Sequence, residues 1–384
     1  MRIKINDQKL IRSWQITERT SRGPKTSAIL SGIYVKAYNN NVILMATDLK
    51  TSIKCLIHDV TIEEEGESIF PTKGVGEILK KLSHGFTIEA TNTKVTIRHE
   101  KNQFNFTTYP TEEFPKLPSS ESAKLACRIK SKDLSRSIRE GSFTGSTNEE
   151  FPQYLSSALI EFKRNSLKLI ATDGKRLSLS EADLMEGSTE EDSILIPIRG
   201  INELERILST LDEDSLIEIL YDDSQCYFRG DDIELSIRRV ESLFPPYDRI
   251  ISSDRTTWMT IDRQALIDAL EKVEVIVRDF NKVIIMDLKP AGNLSISAFA
   301  KNVGEGFVEM AAEVDGEPLK VGFNVAYLLQ GLKAIGDSSV RMSFNGPHGQ
   351  MRLQKISSDN FLYILMPVVL PEELLGEEEE ADVV

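Results

Sequence analysis

Phe70-Pro71-Thr72-Lys73-Gly74-Val75-Gly76-Glu77-Ile78-Leu79-Lys80 returns as Ile196-Pro197-Ile198-Arg199-Gly200-Ile201-Asn202-Glu203-Leu204-Glu205-Arg206. It returns again as Phe323-Asn324-Val325-Ala326-Tyr327-Leu328-Leu329-Gln330-Gly331-Leu332-Lys333. Pro197 follows Pro71 by 126 residues and Asn324 follows Pro197 by 127, in a chain of 384. A segment that recurs at one third of the length means three copies of one structural unit. Other landmarks keep the same step. Ile43-Leu44-Met45-Ala46-Thr47-Asp48 returns 125 residues on as Lys168-Leu169-Ile170-Ala171-Thr172-Asp173, and Phe114-Pro115 returns as Phe244-Pro245. The third copy, Leu294-Ser295-Ile296-Ser297-Ala298-Phe299, keeps the alternation and loses the Thr-Asp.

Each third reads as two helices and a set of short antiparallel strands. The opening helices carry apolar residues at helical spacing: Leu10 and Trp14 after Asn6, Leu134 and Ile138 after Ser131, and Leu266, Leu270 and Val273 after Asp262. Asn6, Ser131 and Asp262 are the expected N-caps. Ile33, Val35 and Ala37 then alternate with Gly32, Tyr34 and Lys36, and Asn39-Asn40-Asn41 is a hairpin signal before Val42. The repeated segment starts the second helix, with Val75, Ile78, Leu79 and Leu82 as its apolar face and Gly74-Val75-Gly76 inside it. Three strands close the unit, at Phe86–Ala90, Val95–His99 and Phe104–Thr108, and again at Leu216–Tyr221, Gln225–Arg229 and Ile233–Arg238. The fold class is therefore α+β, in three tandem copies with two helices packed on antiparallel sheets. The predicted domains are 1–122, 123–253 and 254–370, followed by an acidic tail at 371–384.

The length suits three domains, and no apolar run is long enough to span a membrane. Met1-Arg2-Ile3-Lys4-Ile5-Asn6 alternates like a strand and lacks the apolar core of a signal peptide. Cys55, Cys127 and Cys226 fall one to a third without metal-ligand spacing, which predicts buried, reduced thiols and a cytoplasmic protein. The net charge of −14 argues against nucleic acid only until its distribution is read. Glu372, Glu373, Glu377, Glu378, Glu379, Glu380 and Asp382 supply half of it from the tail, which reads as a solvated, disordered extension. The helices lean basic, with Lys9, Arg12 and Arg19, then Lys132, Arg136 and Arg139, then Arg263 and Lys272 on the first helices, and Lys73, Lys80 and Lys81, then Arg199 and Arg206, then Lys333 on the second. Glu77, Glu140, Glu203, Glu205 and Glu271 are mixed in, so one helix alone reads as a solvated face. Six helices sharing the bias would converge on one surface in a side-by-side array.

Catalytic signatures do not emerge. His58, His84, His99 and His348 form no metal-spaced set and no nucleophile motif, and there is no dinucleotide or phosphate-loop fingerprint. Asp48 and Asp173 end strands, where Asp is commonly a turn former, and the third copy has no counterpart. No metal, cofactor or catalytic residue is expected.

Ala171-Thr172-Asp173-Gly174-Lys175-Arg176-Leu177, Phe244-Pro245-Pro246-Tyr247-Asp248-Arg249-Ile250 and Tyr363-Ile364-Leu365-Met366-Pro367 resemble the signature segments of the beta sliding clamp family of bacterial DNA polymerase III. The resemblance runs from residue 1 to about Leu370. It implies a head-to-tail homodimeric ring around duplex DNA, bound without sequence preference, that tethers the polymerase III catalytic subunit, the clamp loader and other proteins carrying clamp-binding peptides. It further implies a peptide pocket at Leu155, Thr172, Gly174, Lys175, Arg176, Leu177, Pro245, Arg249, Ile250, Ile364, Met366, Pro367 and Val368. For DNA it points to Lys25, Lys73, Lys80, Arg136, Arg139 and Arg199, and for the dimer seam to Phe106, Val275 and Ile276. Two readings stand beside the clamp: a non-encircling peptide-binding scaffold of the same fold, and an enzyme on a repeated α+β domain. The chain departs from the family pattern at Val369, where Arg is common, at Glu149 and Glu150, and in its acidic tail, which is expected to compete with acidic peptide partners.

Overall fold

The computed structural model describes residues 1–21, 27–82, 84–149, 151–187, 191–251, 254–290 and 292–370. The tail at 371–384, Lys25 and Glu150 lie outside these residues. Every third follows one element order: strand, helix, five strands, helix, three strands.

The first third runs β1 (Arg2–Ile5), α1 (Lys9–Thr20), β2 (Gly32–Tyr38), β3 (Asn41–Thr47), β4 (Thr51–Ile57), β5 (Thr61–Glu64) and β6 (Gly66–Pro71). It ends with α2 (Thr72–Leu79), β7 (Phe86–Ala90), β8 (Lys94–His99) and β9 (Asn102–Thr107). The second runs β10 (Lys124–Lys130), α3 (Ser131–Gly141), β11 (Ser157–Phe162), β12 (Ser166–Thr172), β13 (Arg176–Asp183), β14 (Glu186–Gly187) and β15 (Asp192–Pro197). It ends with α4 (Ile198–Leu208), β16 (Leu216–Tyr221), β17 (Gln225–Arg229) and β18 (Ile233–Arg238). The third runs β19 (Thr257–Asp262), α5 (Arg263–Val277), β20 (Val283–Lys289), β21 (Asn293–Ala300), β22 (Gly304–Ala311), β23 (Glu313–Gly316) and β24 (Leu319–Asn324). It ends with α6 (Val325–Ala334), β25 (Ser339–Phe344), β26 (Met351–Lys355) and β27 (Phe361–Leu365).

Local chemistry accounts for much of this. Asn39 and Asn40 both take positive φ (46° and 60°), the backbone of a two-residue hairpin turn, and Tyr38 pairs with Asn41 across it. Asp262 caps α5 by accepting from the Ala265 amide at 2.7 Å, and Asn324 caps α6 through the Tyr327 amide. Three expectations need correction. A strand precedes the first helix of every third, because β1, β10 and β19 join the sheet formed by the last three strands. Asn6 and Ser131 are not caps: Ser131 is the first helical residue, and Gln8 and Lys130 hold the cap positions without a side-chain bond. Gly74 is not in a regular helix. It sits at φ +91°, and the Phe106 ring lies 2.8 Å from where a Cβ would be, so the chain turns there and α2 becomes regular at Val75.

The sheets do not respect the repeat boundaries. A nine-stranded sheet runs β14-β10-β16-β17-β18-β4-β3-β2-β6, taking five strands from the second third and four from the first. A second runs β15-β11-β12-β13-β27-β26-β25-β19-β23 and joins the second and third thirds in the same way. The junctions are β18 on β4, with Leu235 opposite Ile53, and β27 on β13, with Tyr363 opposite Ser178. What is left is a five-stranded sheet, β5-β1-β7-β8-β9, at one end and a four-stranded sheet, β22-β21-β20-β24, at the other. The helices cover one face of the strands, and the apolar residues between form the cores, one shared by the first two thirds and one in the last.

The segments after β9, β18 and β27 also repeat. Each is hooked by one backbone bond to the strand before the second helix: Tyr109 N to Ile69 O (3.2 Å), Val240 N to Leu195 O (2.9 Å) and Val368 N to Gly322 O (2.8 Å). Beyond the hook, the first two cross the outer, helix-free face of their junction.

Candidate functional site

At the β13–β27 junction, the outer face carries an apolar cluster of its own: Ile170, Leu177, Leu179, Tyr247, Leu362 and Ile364, with Leu159, Phe244 and Ile251 against it. Register explains it. Leu177 pairs with Ile364 and Leu179 with Leu362, so both strands turn alternate apolar side chains outward. The Phe244-to-Ile251 linker folds over them. The Tyr247 hydroxyl donates to Glu161 Oε2 at 2.8 Å, and burial with this bond raises its pKa.

Leu177 and Ile364 are buried beneath this linker, in one cluster with Tyr247. Ile250 and Met366 are each 44% exposed, Arg249, Gly174 and Lys175 are exposed, and Leu155, Pro245, Pro367 and Val368 are half-buried. The tight turn before β13 sets the approach. Gly174 lies at φ +83°, Thr172 Oγ1 accepts from the Gly174 amide and donates to the Arg176 carbonyl, and Asp173 accepts from the Lys175 and Arg176 amides. Met366 N donates to Lys175 O at 3.0 Å and holds this turn beside the last strand's exit.

Arg176 is not a free cation. Its side chain is buried, paired with Asp173 at 2.9 Å, bonded to Gln330 Oε1 at 2.5 Å and stacked over Tyr327 at 4.1 Å. It ties the second third to α6 of the last. A second tie is the ion pair of Lys355 with Glu140 at 2.6 Å, both nearly inaccessible, with Arg136 and Ser180 also on the Glu140 carboxylate. Sequence reasoning missed Tyr327, Gln330 and Lys355. Their contacts join residues more than 150 apart or bury a charge, and neither leaves a periodic trace.

The helix surface holds the expected cations in different states. Lys73, Arg139 and Arg199 are exposed, with Arg199 Nε on the Thr147 carbonyl at 2.9 Å. Lys80 is exposed and pairs with Glu18. Arg136 is engaged by Glu140 and by the Glu181 carbonyl, so its head group is already committed. Glu149 is paired with Lys50 across the first junction, and the Lys50 bond lowers its pKa.

The free edges form the remaining feature. Phe106 on β9 packs partly buried over Gly74. At the other end of the chain, Val275, Phe280, Phe299, Val303 and Phe307 are each about half or more exposed, and Ile276 packs against the core beside Gly306. A soluble monomer rarely leaves so many large apolar side chains at one end. Among the described residues no cluster of three or more His, Cys, Asp and Glu is placed to hold a metal, and no helix is long and apolar enough to cross a membrane.

Residues 1–118, 128–246 and 248–369 match, in order, the family models for the N-terminal, central and C-terminal domains of the DNA polymerase III beta subunit. The chain belongs to this family. It functions as a DNA sliding clamp. The beta sliding clamp of Bacillus subtilis is 27% identical over 96% of this chain and 99% of its own length. That of Synechocystis sp. is 26% identical over 96% and 100%. The crystal structure of the DNA polymerase sliding clamp from Bacillus subtilis superposes with a TM-score of 0.90, at 26% identity over 97% of this chain and 100% of that one. The DNA polymerase III beta subunit from Pseudomonas aeruginosa gives a TM-score of 0.90 at 25% identity, over 96% and 100%.

Proposed function

We propose that two copies of this chain close head to tail into a cytoplasmic ring around duplex DNA and act as a processivity factor without catalysis of their own. The carrying observation is the pair of unfinished sheets. Both internal junctions join five strands of one third to four of its neighbour, and the chain ends in an unpaired five and an unpaired four. A second copy supplies the complement at each end, which removes two open edges. If the joint repeats the internal registers, Phe104 would stand opposite the partner's Gly306 and Phe106 opposite the partner's Gly304, as Leu235 faces Ile53 and Ile237 faces Thr51. The glycines leave room for the rings.

In such a ring the twelve helices line the hole. Exposed Lys73, Lys80, Arg139 and Arg199 would meet phosphates, and Lys25 belongs to the same set by resemblance. Phosphate contacts alone carry no base preference, so the ring slides. The outer groove at the β13–β27 junction would take short apolar peptides from the polymerase catalytic subunit, the clamp loader and other partners. Its apolar floor, and Met366 at the rim, suit anchors of varied shape.

The test is retention on nicked circular DNA before and after linearisation. A ring stays on the circle and runs off the cut ends. A monomer that binds peptide and never stays on closed DNA supports the scaffold reading instead.

A further inference from the structure

Two positions of the repeat lose their charge along the chain. Aligning the buried pairs Leu10–Trp14, Leu134–Ile138 and Leu266–Leu270 puts Arg12, Arg136 and Asp268 at one place on the first helix of each third. In the repeated segment the fourth residue is Lys73, then Arg199, then Ala326. Side-chain contacts sharpen this gradient. In the first third Arg12 and Lys73 are exposed and Arg19 is half-buried, and among the described residues none of their head groups has an ion pair or a hydrogen bond. Arg12 and Arg19 are seven residues apart, so they share one face of α1. In the second third both aligned cations are engaged: Arg136 by Glu140 and the Glu181 carbonyl, Arg199 by the Thr147 carbonyl.

In the last third both are gone. Arg263 of α5 is held by the carbonyls of Asp337 and Leu332, and Lys333 of α6 is paired with Glu271 at 2.6 Å. Lys272 remains, offset by exposed Asp268 and half-buried Glu274. Lys80, Arg206 and Lys333 keep a cation at the eleventh position of the segment, but each is paired with a glutamate, Glu18, Glu203 and Glu271. An engaged cation adds little on meeting a phosphate, because its carboxylate must be displaced or left facing the polyanion.

We infer that the first third anchors the duplex through Arg12, Arg19 and Lys73, and that the helices of the last third are a wall that does not grip. The inference deepens the ring reading and rests on it. In a head-to-tail ring the two anchors stand on opposite sides of the hole. Each lies beside the partner's last third, so the interchain joint meets phosphate on one side only.

Fluorescence anisotropy with a short DNA duplex, from about 50 to about 200 mM salt, tests this. Each phosphate contact adds about 0.9 to the slope of log affinity against log salt. Arg12→Gln with Arg19→Gln and Lys73→Gln is expected to lower the slope by about 2.7 per engaged anchor and the affinity at least about tenfold. Lys272→Gln with Lys333→Gln should leave the slope unchanged. Asp268→Arg with Ala326→Lys restores the two missing cations and should raise it by about 1.8. Equal losses from the first-third and last-third substitutions overturn the inference, as does an unchanged slope for the triple variant. A full chain that gives the expected pattern but stays monomeric in sedimentation keeps the anchor and refutes the ring. No binding at the lowest salt refutes both.

Discussion

A cross-chain disulfide reads the proposed joint residue by residue. Carrying the internal registers across, Asn105 of one protomer falls opposite the partner's Glu305, as Ser236 faces Ser52 and Ile364 faces Leu177. Residues directly opposite in antiparallel strands have Cα atoms about 4.5–5.5 Å apart. A disulfide needs about 4.4–6.8 Å with both Cβ atoms on one face. Asn105→Cys with Glu305→Cys therefore satisfies it. Asn105→Cys with Gly306→Cys does not, because a one-residue slip turns the second side chain to the helix face. The native thiols are quiet: Cys55, Cys127 and Cys226 are buried, and burial pushes Cys55 to about 11 and Cys127 to about 12. Mild oxidation of the first pair should give a covalent dimer that stays on nicked circular DNA through denaturant. Equal or better cross-linking by the control pair, or an oxidised chain that stays monomeric, would refute the register and the joint derived from it.

Phe106→Asp should raise the dimer dissociation constant at least about 100-fold, since an unpaired charge in a desolvated joint costs several kcal/mol; an unchanged constant by sedimentation contradicts the placement of Phe106. Ile250→Ala with Met366→Ala should weaken an apolar clamp-binding peptide about tenfold in calorimetry with the melting temperature unmoved, because both residues stand exposed at the rim. For pH dependence Glu218 is the clearest group. Burial alone raises its pKa, but bonds from Arg229 and Arg128 outweigh burial and leave it lowered. Its contribution is complete above about pH 4.3, the ordinary glutamate value, and vanishes as pH falls through the lowered folded value. Glu218→Gln should thus destabilise by about 2 kcal/mol at pH 7 and by little near pH 2 in urea titrations; an equal loss at both would assign the effect to packing.

The threefold order and the strands of the second third were legible because period-two alternation and the recurrent Pro-to-helix segment are local signals. β16, β17 and β18 lie where alternation puts them. The kink at Gly74 was not, since a glycine inside an apolar 3.6 pattern looks helical until the Phe106 ring is known to fill the space above it. Nor were the nine-stranded sheets. Pairing β18 with β4 joins residues about 180 apart, and nothing in either strand names its neighbour. The commitment of Arg176 to Asp173, Gln330 and Tyr327 was not legible either, since it depended on α6 arriving from another third.

The unequal division of strands has a consequence for lifetime. In the proposed ring, two of every three joints are backed by continuous polypeptide, so they survive any dilution. The remaining joint obeys mass action, and the assembled fraction falls as protomer concentration falls. Once threaded by a closed nucleic acid, however, a hoop persists for as long as its two weak joints hold, whatever the surrounding concentration. Residence is then a rate of rupture at β9 and β22, and a cell can tune it there without touching the rest of the molecule.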